Sequence, residues 1–83
     1  MGNYKMKEPL DVAEMRNNSF GNRLKSALGQ RNITQIGLSE MTGISKTNIN
    51  RYVQDEFEPN CTSLRLICNA LEISADWLLG LKE

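Results

Sequence analysis

Ile33-Thr34-Gln35-Ile36-Gly37-Leu38-Ser39-Glu40-Met41-Thr42-Gly43-Ile44-Ser45-Lys46-Thr47-Asn48-Ile49-Asn50-Arg51-Tyr52-Val53-Gln54 reads as two short helices hinged at one glycine. Thr34 and Ser45 each precede such a helix, where a hydroxyl accepts a bond from an orphan N–H of the next turn. Gly43 falls between them, where the chain must turn sharply and a positive φ carries no steric cost. Leu38 and Thr42 lie four apart on one face of the first helix, and Ile49 and Val53 repeat that spacing on the second. Ile44 stands in the turn and can plug the angle between them. The apolar faces therefore pack together. Lys46, Thr47, Asn50 and Arg51 are left pointing elsewhere, and each can bond a base edge or a phosphate.

The flanks extend the same pattern. Ser19 caps a helix in which Phe20, Leu24, Ala27 and Leu28 recur at helical spacing, with Arg23, Lys25 and Arg31 on other faces and Asn32 at its end. Downstream, Asp55-Glu56-Phe57-Glu58-Pro59 reads as a loop, since proline disfavours helix at the residue before it. Asn60 caps a helix of about 61–71 with Leu64, Ile67, Cys68 and Leu71 as its apolar stripe. Ser74 caps a last short helix carrying Ala75, Trp77, Leu78 and Leu79, and Gly80 ends it. The spacing of Trp77 suggests packing against the preceding helix. Residues 1–18 are polar and irregular and read as a flexible arm, in which Pro9 opens a turn or two of helix through Leu10 and Met15 at most. The expected organisation is an arm over 1–18 and a five-helix, all-α domain over 19–81, with its two-helix motif at about 35–54.

Composition narrows the function. Eighty-three residues allow one small domain, and 40% hydrophobic residues spread along the chain can build a modest core. No apolar run approaches the ~20 residues of a membrane helix, and no secretory signal opens the chain. Net charge is zero but unevenly placed. Residues 16–54 hold Arg16, Arg23, Lys25, Arg31, Lys46 and Arg51 against Glu40 alone, a balance of +5. Residues 55–83 hold Asp55, Glu56, Glu58, Glu72, Asp76 and Glu83 against Arg65 and Lys82, a balance of −4. Such a dipolar domain presents one positive face to a polyanion. Cys61 and Cys68 lie seven apart on one helix, roughly 10.5 Å, too far for a disulfide within it. With no histidine a zinc site has too few ligands, so both read as small buried hydrophobes in a reducing, cytoplasmic setting. Without histidine, phosphate loop or nucleophile–base spacing, an enzyme is not expected, and no cofactor, metal or small-molecule ligand is implied.

Taken in order, these motifs resemble the helix-turn-helix domains of the phage repressor and Cro type, the XRE family, from Phe20 to Gly80. The resemblance rests on Arg23-Leu24-Lys25, Thr34-Gln35 with Leu38, Gly43-Ile44-Ser45, Ile49 and Pro59-Asn60. It rests also on the ending Ile67-Cys68-Asn69-Ala70-Leu71 and Ile73-Ser74-Ala75-Asp76-Trp77-Leu78-Leu79-Gly80. It implies a lambda-repressor-like fold and a sequence-specific, double-stranded DNA-binding regulator, of prophage-repressor type, working at the nucleoid. By resemblance, Lys46, Thr47 and Arg51 match base-reading positions, and Gln35 matches one that grips a phosphate and braces the reading helix. Asn50 is added to the base readers on chemical grounds, and Ser45, Asn48, Arg23 and Arg31 to the phosphate contacts. The family's habit of pairing through its last helices implies a homodimer, at least on DNA, with half-sites about one helical turn apart.

Three departures from the family pattern stand out. An arginine on the first helix often pairs with a glutamate late in the third. Here Leu28 and Val53 stand at those places, an apolar solution that need not lose stability. The glycine that often follows the third helix is Asp55, which tolerates left-handed backbone better than most residues. The following loop is acidic (Asp55, Glu56, Glu58) where relatives offer basic groups, which moves phosphate contacts toward Arg23, Arg31 and the Lys5 and Lys7 of the arm. Ile36 and Met41 are apolar where relatives are often polar. They are either partly buried or mark a contact, and with the arm they are the candidate surface for a second function class, an antitoxin holding a partner toxin. A third class is a protein-interaction module without DNA binding.

Overall fold

The structure is a computed structural model that describes residues 19–81. The expected arm, with Lys5, Lys7 and the turn at Pro9, lies outside the described residues. Five helices occur among the described residues: α1 Phe20–Arg31, α2 Gln35–Thr42, α3 Lys46–Val53, α4 Cys61–Leu71 and α5 Ala75–Leu78. No helix among the described residues is long and apolar enough to cross a membrane.

Each helix begins where a polar side chain can satisfy its first turn. Ser19, Thr34, Ser45, Asn60 and Ser74 accept from the backbone N–H of Asn22, Gly37, Asn48, Ser63 and Trp77 respectively, at 2.8–3.1 Å. All five are the caps expected from the sequence. Each also ends by a left-handed device. Gly43 (φ 79°) closes α2 with one bond, its N–H to the Ser39 carbonyl at 2.8 Å. At the other four ends a left-handed residue is followed by one whose N–H reaches back five residues, the Schellman arrangement. Those left-handed residues are Asn32, Asp55, Glu72 and Gly80.

Every helix contributes to one core. Leu24 of α1, Leu38 of α2, Ile49 of α3, Ile67 and Leu71 of α4 and Leu78 of α5 are fully buried. Ala27, Leu28, Ile44, Tyr52 and Val53 complete it, with Phe20, Leu64, Cys68 and Trp77 packed at its edge. Burying each of the large aliphatic side chains is worth about 1.5–3 kcal/mol. Leu28 and Val53 are both in that core, the apolar replacement expected for the family's ion pair. Ile44 plugs the turn as expected.

Three packing expectations are corrected. Thr42 does not extend the apolar face of Leu38: its hydroxyl donates to the Leu38 carbonyl at 2.7 Å and accepts from Ile44 N–H at 3.2 Å, so it organises the turn instead. Leu79 lies past the last turn of α5 and is exposed. Cys61 occupies the first position of α4 and is exposed too, leaving Cys68 alone in the role of small hydrophobe. Burial pushes the Cys68 thiol pKa up.

α1 is anchored to α3 by a contact the sequence does not advertise. Gly21 donates its backbone N–H to Asp55 Oδ1 at 2.8 Å, so Asp55 both turns the chain after α3 and caps α1. A Cβ on Gly21 would sit 2.7 Å from Asp55 Oδ2 and 2.8 Å from the Val53 carbonyl carbon. Only glycine lets these two helix ends approach so closely.

Candidate nucleic-acid interface

α3 advances about 100° per residue. Ile49, Tyr52 and Val53 fall on one arc and are buried. The opposite arc carries Lys46, Thr47, Asn50 and Arg51, all exposed. These four, with Glu56 from the following loop, line a shallow concavity of about 440 Å³. Its donors and acceptors suit base edges: Arg and Lys match guanine O6 and N7, Asn matches adenine N6 and N7, and the threonine methyl can meet that of thymine. The structure thus brings together all four residues assigned to base reading.

The face is braced from α2. Asn50 Nδ2 donates to Gln35 Oε1 at 3.3 Å, across the turn. Gln35 occupies the first position of α2, behind the Thr34 cap. The bond uses its carbonyl oxygen and leaves its amide hydrogens for a phosphate. Asn50 keeps its own Oδ1 and its second amide hydrogen, the pair an adenine requires. Ser45 accepts from Asn48 N–H and retains its O–H as a donor. Asn48 lies half-buried outside the arc shared by the four readers, so the two asparagines are not equivalent.

Arg23 and Arg31 are placed differently from the phosphate role expected of them. Arg23 Nη1 donates to the Trp77 carbonyl at 2.9 Å, and its guanidinium lies 5.2 Å from the Trp77 ring centroid. Arg31 donates from Nε to the Leu71 carbonyl at 2.7 Å and from Nη2 to the Glu72 carbonyl at 2.9 Å. Both arginines tie α1 to the last two helices. The cause is the negative end that carbonyls form at a helix C-terminus, which a fork of charged donors complements well; the Trp77 carbonyl accepts Arg23 alongside the Gly80 N–H at 3.0 Å. The positive charge counted along residues 16–54 is therefore not gathered on one face.

Sequence reasoning missed three members of the site's surroundings. Tyr52 is buried beneath α3, with its ring edge-on to Phe57 at 5.5 Å and 88°. Phe57 in turn lies 5.6 Å from the Arg51 guanidinium carbon. Glu56 Oε1 stands 3.9 Å from Arg51 Nε. The signal for Glu56 was legible in principle, because a left-handed Asp55 places residue 56 back over residue 51. Ile36 and Met41 are exposed rather than partly buried, and five residues on a helix put them about 140° apart, so they do not form one patch.

A family described as a helix-turn-helix domain matches residues 21–83. The chain belongs to that helix-turn-helix family. It is 34% identical over 65 residues to the HTH-type transcriptional regulator ImmR of Bacillus subtilis (strain 168), covering 78% of this chain and 51% of that one. It is 33% identical over 60 residues to repressor protein C2 of Salmonella phage P22, covering 72% of this chain and 28% of that one. The chain thus spans about half, or less, of the length of these helix-turn-helix relatives. Among solved structures it resembles the crystal structure of the P22 c2 repressor protein in complex with the synthetic operator 9T. There the TM-score is 0.71 and the identity 32%, over 76% of this chain and 96% of that one. The all-helical lambda-repressor-like fold expected from the sequence is the fold found.

Proposed function

We propose that this helix-turn-helix chain is a transcriptional regulator of prophage-repressor type that reads double-stranded DNA with α3 in the major groove. The observation that carries this reading is the outward arc of α3: Lys46, Thr47, Asn50 and Arg51 together, turned away from the core and braced by Gln35. The likeness to a repressor solved on operator DNA supports it. In this reading the four side chains contact base edges, while Gln35, Ser45 and Asn48 hold phosphates beside the groove. Two copies pair about a two-fold axis, which doubles the contacts and fixes the half-site spacing. Occupancy of an operator that overlaps a promoter excludes polymerase, and no chemistry on the DNA is required.

Selection of bound sequences from a random duplex library, with affinity measured at two salt concentrations, tests this. Enrichment of a two-fold symmetric site with salt-sensitive affinity is the expected result. No enrichment and no salt dependence would sink the reading and turn attention to a protein partner.

A further inference from the structure

Glu56 is the anomaly of the site: a carboxylate inside a concavity otherwise fitted to a polyanion's bases. Its place is fixed by backbone geometry. Asp55 is left-handed (φ 60°), its N–H donates to the Tyr52 carbonyl at 3.1 Å, and the Glu56 N–H donates to the Arg51 carbonyl at 2.9 Å. This ending sets residue 56 against residue 51, a juxtaposition usually filled by two apolar side chains. The same places hold Leu28 with Ile33 after α1 and Cys68 with Ile73 after α4. After α3 they hold Arg51 and Glu56, with Nε and Oε1 3.9 Å apart. The second restraint on Arg51 comes from the core. Buried Tyr52 holds the Phe57 ring edge-on, and that ring lies 5.6 Å from the guanidinium carbon.

We infer that Glu56 and Phe57 are positioning residues that hold Arg51 for one base at the expense of general affinity for duplex. The inference rests on the reading of α3 as the DNA-reading helix. With Nε the nitrogen nearest the carboxylate and the guanidinium carbon 5.6 Å from the ring centroid, the Nη1–Nη2 edge is the one left to a ligand. That edge can fork onto guanine O6 and N7 while the carboxylate stays in place. A phosphate can take the same fork, but it brings a full negative charge beside Glu56 and is repelled. Glu56 therefore favours base contact over phosphate contact by the same side chain, which is discrimination by an added repulsive element.

The test uses the full chain, the site it selects, all base-pair variants of that site and an unrelated duplex. E56Q is expected to bind the unrelated duplex several-fold more tightly while its preference at one base pair falls several-fold. F57L, which keeps an apolar contact for Tyr52, is expected to lose preference at that same pair with little change on the unrelated duplex. In an Arg51→Ala background, E56Q should still raise general affinity but no longer move any base preference. A merely structural role would lower both affinities in parallel, and that outcome would overturn the inference. A wild-type chain that selects a site, with E56Q and F57L preferences equal to its own, would overturn the positioning alone. A wild-type chain that selects no site would overturn the DNA reading and the positioning with it.

Discussion

Arg51 shows how much of this protein rests on single side chains. It stands at the rim of α3, half-exposed, with its guanidinium between a carboxylate and an aromatic ring. Exposed ion pairs contribute little to stability, about 0–1 kcal/mol, so Arg51→Ala should leave the fold intact. On the selected operator it should cost ~1–3 kcal/mol and relax preference at one base pair. Quantitative binding to the site and its variants checks this, and unchanged affinity with unchanged preference would remove Arg51 from the reading face. Two glycines of α1 make an opposite pair. Gly21→Ala drives a methyl into the Val53 carbonyl and the Asp55 carboxylate, and should destabilise the domain by about 1–3 kcal/mol. Gly29 has nothing within 4 Å of where its Cβ would stand. Gly29→Ala should therefore stabilise the domain by roughly 0.5–1 kcal/mol through helix propensity alone. Denaturant unfolding of the two variants should show midpoints shifted to opposite sides of the wild type.

At the scale of elements, the helices behave as units joined by their ends. The two guanidiniums of α1 reach carbonyls at the C-terminal ends of α4 and α5, 40 and 54 residues along the chain. Arg31→Ala should loosen the junction of α1 with α4 and cost about 1 kcal/mol, the order of a hydrogen bond to a charged donor at a partly exposed site. A drop of roughly 4–8 °C in Tm is expected from that loss. The dependence of DNA affinity on salt should not change, whereas loss of a phosphate contact would lower its slope by about 1 for each bound protomer. A variant with wild-type Tm and a shallower slope would return Arg31 to the phosphate backbone. This distinction marks what the sequence could tell. Helix positions were legible because caps act within three or four residues: Thr34, Ser45 and Asn60 announce their helices by local chemistry. The reading face was legible because α3's buried arc of Ile49 and Val53 fixes what points outward. The destinations of Arg23 and Arg31, and the approach of Gly21 to Asp55, were not. They depend on partners distant in sequence, and a long charged side chain has the same local pattern whether it meets solvent, a phosphate or a carbonyl.

At the scale of the molecule, the redistribution of arginines changes the expected electrostatics of binding. With Arg23 and Arg31 held against α4 and α5, the cations lining the groove are Lys46 and Arg51. Two protomers on one operator would then bring about four positive charges up to the duplex from this face, and the counterions these displace give a slope of log affinity against log salt of roughly −4. A domain with zero net charge and a carboxylate in its groove gains little further from its general field. Any additional slope has to come from elsewhere in the chain, and Lys5 and Lys7 of the expected arm are suited to a phosphate or a minor groove. The full chain is expected to show a slope steeper than −4, as a two-fold pair with half-sites about one helical turn apart. Deleting residues 1–8 should bring the slope back to roughly −4 while the selected sequence stays the same. Affinity measured across a salt series, with sedimentation of the bound species, decides both parts. A slope indifferent to the deletion would dismiss the arm, and one copy per operator would dismiss the pair.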